Sequence, residues 1–103
     1  MSRKPKSTRP IMQLLDVLGR RWVLRIFWEL RGGPLTFRAL QDACGGISPS
    51  VLNSRLAELR EAMLVNADPD GYALSALGQE LLERLLPVGK LADRWARAVS
   101  RSE

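Results

Sequence analysis

Apolar positions along this chain recur first at helical spacing, then briefly at strand spacing, then at helical spacing again. Ile11, Leu14, Leu15 and Leu18 fall at steps of three and four and predict a helix over 11–18, which Gly19 interrupts. A second helix runs from Trp22 to Leu30, with Val23, Ile26, Phe27 and Leu30 on one face and Trp22 beside them. Gly32-Gly33-Pro34 ends it, because glycine takes backbone angles that other residues avoid and proline cannot donate a helical hydrogen bond. Leu35 is a short extended link. Thr36 is placed to cap a helix over Phe37–Ala43 that turns Phe37 and Leu40 inward. After a turn at Cys44-Gly45-Gly46-Ile47, Ser48-Pro49 opens another helix: a hydroxyl cap, then proline where a missing N–H costs nothing. That helix runs to about Ala62 and buries Leu52, Leu56, Leu59 and Met63.

The pattern then changes. Leu64–Ala67 and Tyr72–Leu74 read as strands joined by the turn Asp68-Pro69-Asp70-Gly71. Ser75 caps the last helical region, whose stripe is Leu77, Leu81, Leu85, Val88, Ala92, Trp95 and Val99, widened by Leu82, Leu86 and Leu91. Pro87 and Gly89 kink this helix or split it in two. No segment repeats. The expected fold is mainly α with a short β-hairpin: two helices, a helix-turn-helix, a wing and a long C-terminal helix, the winged helix-turn-helix order.

Composition sharpens this. With 103 residues, 46% of them hydrophobic, the chain supports one domain with a real core. Its single cysteine, Cys44, forms no internal disulfide, and no apolar run reaches the length of a membrane span or signal segment, which points to the cytoplasm and no membrane partner. Arg3, Lys4, Lys6 and Arg9, with no acid among them, carry most of the net charge of +5 and leave the body nearly neutral. Residues 1–10 are therefore expected to be a disordered basic arm, and 11–103 the folded domain. The arm fits a solubilising tail and a phosphate- or minor-groove-contacting arm equally well.

Several segments, in order, resemble the HxlR-type transcriptional regulators, relatives of the MarR-like winged helices. They are Leu15-Asp16-Val17-Leu18-Gly19-Arg20-Arg21-Trp22, Phe37-Arg38-Ala39-Leu40, Gly46-Ile47-Ser48-Pro49 through Leu59, and Tyr72-Ala73-Leu74-Ser75-Ala76-Leu77-Gly78, followed by a late tryptophan at Trp95. The resemblance covers about residues 11–97. It implies double-stranded DNA as a partner, a homodimer, and repression as the commoner mode. Three departures stand out. Met63 occupies a position where the family commonly has glycine, so a different helix cap is expected. The wing is clipped and acidic rather than long and arginine-bearing. Arg9-Pro10 stands where many members have Cys-Pro, so no cysteine sensor exists there.

The helix from Ser48 would be the recognition helix. Opposite its leucines lie Ser50, Asn53, Ser54 and Ala57; Asn53 suits adenine, and the serines suit several bases. Arg55, near the boundary, is placed to reach guanine or phosphate. Thr36, Arg38 and Ser48 suit backbone phosphates, the caps through their helix N-termini and Arg38 as a positioning cation. Each of these residues has a plainer reading as a cap or a solvated face. Arg20 and Arg21 are expected exposed at a helix start, and Trp22, Trp28 and Trp95 as core or dimer contacts. Asp68 and Asp70 would be repelled by phosphate, so the wing is expected to stay off DNA.

The terminal helices carry more apolar surface than a small domain covers, which marks an interface at Leu14, Leu85, Val88, Leu91 and Trp95. Two recognition helices would then sit one DNA turn apart over a palindromic operator. A protein-binding winged helix without DNA is the alternative, favoured by the acidic wing and near-neutral body. Catalysis is not expected: there is no histidine, Gly46-Ile47-Ser48 lacks the second glycine of a nucleophile elbow, and no phosphate-binding loop occurs. No metal or cofactor is expected, because Cys44 has no partner thiol or imidazole. Cys44 reads as a small turn residue, with a redox switch as the minor alternative. The operator and any small-molecule effector are not legible, although a ligand site between dimer helices and DNA-binding lobe is conceivable.

Overall fold

The computed structural model describes residues 9–102, so most of the expected basic arm (1–8) lies outside the described residues. Six helices and one hairpin follow in order: α1 (Pro10–Leu18), α2 (Val23–Glu29) extended by a 3-10 turn (Leu30–Gly32), α3 (Phe37–Cys44), α4 (Pro49–Glu61), β1 (Val65–Asp68), β2 (Gly71–Leu74), α5 (Ala76–Leu85) and α6 (Val88–Ser102). The core gathers Val23, Ile26, Phe27 and Leu30 from α2, Leu40 and Cys44 from α3, and Leu52, Leu56 and Leu59 from α4. Ile47, Leu64, Val65 and Leu74 close it. These are the helical stripes and strand ends of the sequence pattern, brought together as the pattern requires.

Three hydroxyl caps start helices. Thr36 accepts from the N–H of Ala39 at 3.1 Å, Ser48 from Val51 at 3.2 Å and Ser75 from Gly78 at 2.9 Å. Between α3 and α4 the chain reverses through Gly45 and Gly46, both with positive φ, where a side chain would be strained. The hairpin pairs Val65 with Leu74 and Asp68 with Gly71. Only Pro69 and Asp70 remain as its turn. Leu35 is more than a link: it exchanges two backbone hydrogen bonds with Tyr72, at 2.8 and 2.9 Å, and adds a single antiparallel bridge to the free edge of β2. Gly71 permits this, since a Cβ there would lie 2.4 Å from the Leu35 carbonyl oxygen.

The structure decides one open expectation and corrects four. The C-terminal helical region, expected to be kinked or split, is split, with α5 ending before Pro87 and α6 starting after it. Proline has no N–H to continue the ladder. Met63 is not in the buried stripe of α4 but 72% exposed. Nor does it impose a different cap: it takes the left-handed conformation itself (φ 63°), and the Leu64 N–H bonds back to Leu59 O at 2.9 Å. Trp22 is not the first helical residue of α2 but its left-handed cap, at φ 78°. Arg20, expected exposed, has a side chain only 10% exposed because it is ion-paired to Asp16 and Glu58.

An L-residue in the left-handed region costs roughly 1–2 kcal/mol, partly offset in a glycine replacement by unfolded-state entropy. Met63→Gly is therefore expected to stabilise the fold by about 0.5–1 kcal/mol and raise Tm by roughly 3–6 °C. Urea and thermal unfolding check this; an unchanged or lower midpoint would mean that contacts of the Met63 side chain outweigh the backbone strain.

Candidate nucleic-acid interface

α4 is held by its buried leucines, and this fixes which residues it shows to solvent. Ser50, Asn53, Ser54, Ala57 and Arg60 are exposed along it. Asn53, Ala57 and Arg60 stand at i, i+4 and i+7, so they form one continuous row. The sequence reading stopped at Ala57 and missed Arg60, although the same spacing pointed to it. Arg60 lines a polar groove with Ala57, Asn66 and Asp68 between α4 and the hairpin. At the other end of α4 the Ser48 and Ser50 hydroxyls lie 3.4 Å apart, so Ser48 serves the cap and Ser50 faces outward beside it.

α3 adds a second row at the turn. Arg38 is 85% exposed and only loosely paired with Asp42, at 3.6 Å, while Arg38 and Gln41 line an open pocket with Gly45 and Gly46. Thr36 is exposed, but its hydroxyl is engaged as the α3 cap. Two helix N-termini, the exposed cation of Arg38 and a polar row on α4 thus lie on the helix-turn-helix unit.

Arg55 is placed differently. Its side chain is 23% exposed, its Nε donates to the Arg21 carbonyl at 2.9 Å, and its terminal nitrogen bridges both Glu58 oxygens at 3.1 and 3.3 Å. Glu58 also pairs with Arg20 at 3.2 Å, and Arg20 with Asp16 at 3.1 Å. Burial alone would push the Arg20 guanidinium down, but hydrogen bonds and charge from Asp16 and Glu58 outweigh that and hold it above its ordinary value. Apolar periodicity does not point to this network, because the links that close it, Arg20 to Glu58 and Arg55 to the Arg21 carbonyl, join segments distant in sequence.

The expected interface residues divide. Leu14 and Leu85 are half-buried against their own core, whereas Val88, Leu91 and Trp95 are exposed, Trp95 by 66%. α6 buries none of its residues. Ile11, Met12, Leu15, Leu77 and Leu86 are also exposed and extend the apolar surface over α1 and α5. Trp22 packs partly on the core; Trp28 is exposed on α2 with the Arg31 guanidinium 3.8 Å from its ring centre, so it is not a core residue. A cavity of about 330 Å³ lined by Leu14, Leu64, Leu77 and Leu81 lies between α1, α5 and the exit of α4, with the Glu80–Arg84 ion pair at its edge. Among the described residues no helix is long and apolar enough to cross a membrane, and no cluster of three or more potential ligands gathers for a metal ion.

Comparison with known proteins bears on the fold and the family. Residues 17–100 match the family model of the HxlR-like helix-turn-helix. An uncharacterised HTH-type transcriptional regulator of Methanocaldococcus jannaschii is 31% identical over 91 residues, covering 84% of this chain and 86% of the relative. The HTH-type regulator YvaP of Bacillus subtilis is 32% identical over 88 residues, covering 79% and 82%. Quinone-bound YodB from B. subtilis superposes with a TM-score of 0.78 at 27% identity, covering 82% of this chain and 96% of that one. A possible HxlR family transcriptional factor of Thermoplasma volcanium shares the fold, with a TM-score of 0.74 at 24% identity and 86% of each chain covered. The chain belongs to the HxlR-like helix-turn-helix family of transcriptional regulators.

Proposed function

We propose that the chain is a homodimeric repressor that reads a palindromic operator in double-stranded DNA, with α4 in the major groove. The observation that carries this is the exposed row Ser50, Asn53, Ser54, Ala57 and Arg60, which lies opposite the leucines that anchor α4. Short polar side chains on a protruding helix match the hydrogen-bonding edges of bases. Ser48 and Thr36 present helix N-termini to phosphates, and Arg38 supplies a backbone contact. Asp68 and Asp70 are exposed at the wing tip and keep it away from the phosphates. Repression is the mode that the family resemblance implies, and the cytoplasm is where such a protein meets its DNA.

The dimer rests on α1 and α6. Leu91 and Trp95 stand one turn apart on a helix none of whose residues is buried in its own protomer, and Ile11, Met12 and Leu15 are exposed apolar residues on α1. Exposed large apolar side chains gathered on two helices mark a partner interface. With two copies joined, each bound half-site raises the effective concentration of the other.

Three outcomes are expected. Binding to duplex DNA weakens steeply with salt, because phosphate contacts release counterions, and Arg38→Ala lowers the salt slope by about one. On a selected operator Asn53→Ala loses about tenfold to a hundredfold in affinity and relaxes one base position. Titrations across a salt series measure both; weak binding that ignores salt and both substitutions would leave a protein-binding winged helix as the reading. Second, Leu91→Glu with Trp95→Glu shifts the protein to monomer in analytical ultracentrifugation and lowers operator affinity roughly a hundredfold or more. A variant that remained dimeric would move the interface elsewhere.

Third, the single thiol is expected to be silent. YodB is known in a quinone-bound form, but Cys44 here is buried, and burial, then the charge of Glu29, push its pKa up against a smaller opposing pull from Arg25. The protonated thiol is a poor nucleophile. Because folding raises this pKa, the associated stability is full below the ordinary thiol value and is lost as pH climbs through the raised one. A thiol reagent should modify Cys44 only after unfolding, and a thiol oxidant should leave DNA binding unchanged. Rapid labelling of the native protein at neutral pH would show that the α3 turn opens readily.

A further inference from the structure

The network around Arg55 links three parts of the molecule that the DNA-binding reading treats separately. Asp16 lies on α1, between Leu15, exposed on the uncovered apolar face, and Val17, packed on the core. Arg20 follows α1 in the elbow and reaches Asp16 with one nitrogen and Glu58 of α4 with another, at 3.1 and 3.2 Å. Glu58 holds Arg55, and the Arg55 Nε donates to the carbonyl of Arg21. That carbonyl belongs to the peptide leading into Trp22, the bulky residue in the left-handed conformation that caps α2. Arg21 lies over the Trp22 ring at 5.6 Å from its centre.

Two features decide what this cluster does. It contains two carboxylates and two guanidinia, so its charges balance internally and leave Arg55 no spare cation for a phosphate. It also acts at a strained point: a left-handed tryptophan persists only where the surroundings over-determine it, and the Arg55 hydrogen bond is one of those constraints. A partly buried ion-pair cluster adds little net stability, and its best-attested contribution is to fix geometry.

We propose that Arg55 is a positioning residue that, with Glu58 and Arg20, latches the recognition helix to the α1–α2 elbow and so fixes the angle between the DNA-reading row and the dimer helices. The proposal rests on the DNA-binding reading of α4. The dimer sets the distance between two half-sites, and the latch carries that setting from α1 to α4. Arg55 lies next to Ser54 in sequence, yet it acts on DNA through Glu58 and the Arg21 carbonyl.

Lysine discriminates the roles. A phosphate contact needs only a cation, whereas the latch needs the Nε–H and the fork of a guanidinium. The experiment measures wild type, Arg55→Lys, Glu58→Gln, their double variant and Asp16→Asn on the selected operator, and on operators with one base pair added or removed between half-sites, across a salt series. Expected is a roughly three- to thirtyfold loss for Arg55→Lys and for Glu58→Gln, with the double variant no worse than the weaker single. The salt slope and base preference should stay as in wild type, while discrimination against altered half-site spacing falls in all four variants. Asp16→Asn tests the same link far from α4, so the result stands even if the Glu58 variant folds poorly. The proposal is overturned if Arg55→Lys binds like wild type, if it lowers the salt slope, if one base position relaxes, or if the Arg55 and Glu58 effects add. Wild-type protein that shows no salt-dependent binding would overturn the DNA reading and this proposal together; in that case Asn53→Ala and Arg38→Ala would be equally without effect.

Discussion

The burial of Leu52, Leu56 and Leu59 in one core with Val23, Ile26, Phe27 and Leu30 is the constraint on which the other features depend. All seven side chains are essentially inaccessible to solvent. A helix that sinks one face completely has no freedom to rotate about its axis, because rotation would expose leucine and bury serine or asparagine. The same burial that makes the core therefore aims Asn53, Ala57 and Arg60 outward. On the proposed reading, stability and recognition are two sides of one helix.

Rotation about the axis is only one degree of freedom. The tilt of α4 relative to the rest of the domain is set at its two ends. At the start, Gly45 and Gly46 make a tight reversal from α3, and Ser48 closes the first turn. At the exit, Met63 turns the chain sharply into the wing, and its carbonyl accepts from the Ser75 hydroxyl at 2.8 Å, which ties the exit to the start of α5. The polar cluster on the elbow side adds a third support. Each device is local, and each joins α4 to a different neighbour: α3, α5 and α1.

What was legible in the sequence follows from this. Apolar periodicity and hydroxyl or proline caps are short-range signals, so helix limits from α1 to α4 and the hairpin came out within a residue or two. Backbone conformations that depend on tertiary support did not. Nothing local marks Trp22 or Met63 as left-handed, since neither residue type favours that region. The burial of Arg20 was missed for a similar reason: its partner Glu58 is distant in sequence, and a basic residue beside a helix start ordinarily faces water. On the candidate site, the outward row was legible because it mirrors the leucines. Arg55 was assigned to the boundary by the same arithmetic, but periodicity cannot tell a boundary residue that turns to solvent from one that turns back onto a neighbouring elbow.

Charge distribution bears on how such a domain could hold DNA at all. Most of the positive excess is in the first residues, and of the cations near α4, Arg55 and Arg20 are already neutralised by carboxylates. The wing contributes Asp68 and Asp70, which work against the phosphates. On the proposed reading a single domain offers few phosphate contacts, chiefly Arg38, Arg60 and two helix N-termini. Few contacts mean weak nonspecific binding by one protomer, so the steep salt dependence expected of the dimer is the sum over both. Two such domains held rigidly at one DNA turn recover affinity by geometry instead of charge, and only on sites with the right spacing. On this reading the uncovered face of α6 and the latch at Arg55 belong to the same design: a domain with little electrostatic grip depends on the fixed relation between its two reading helices.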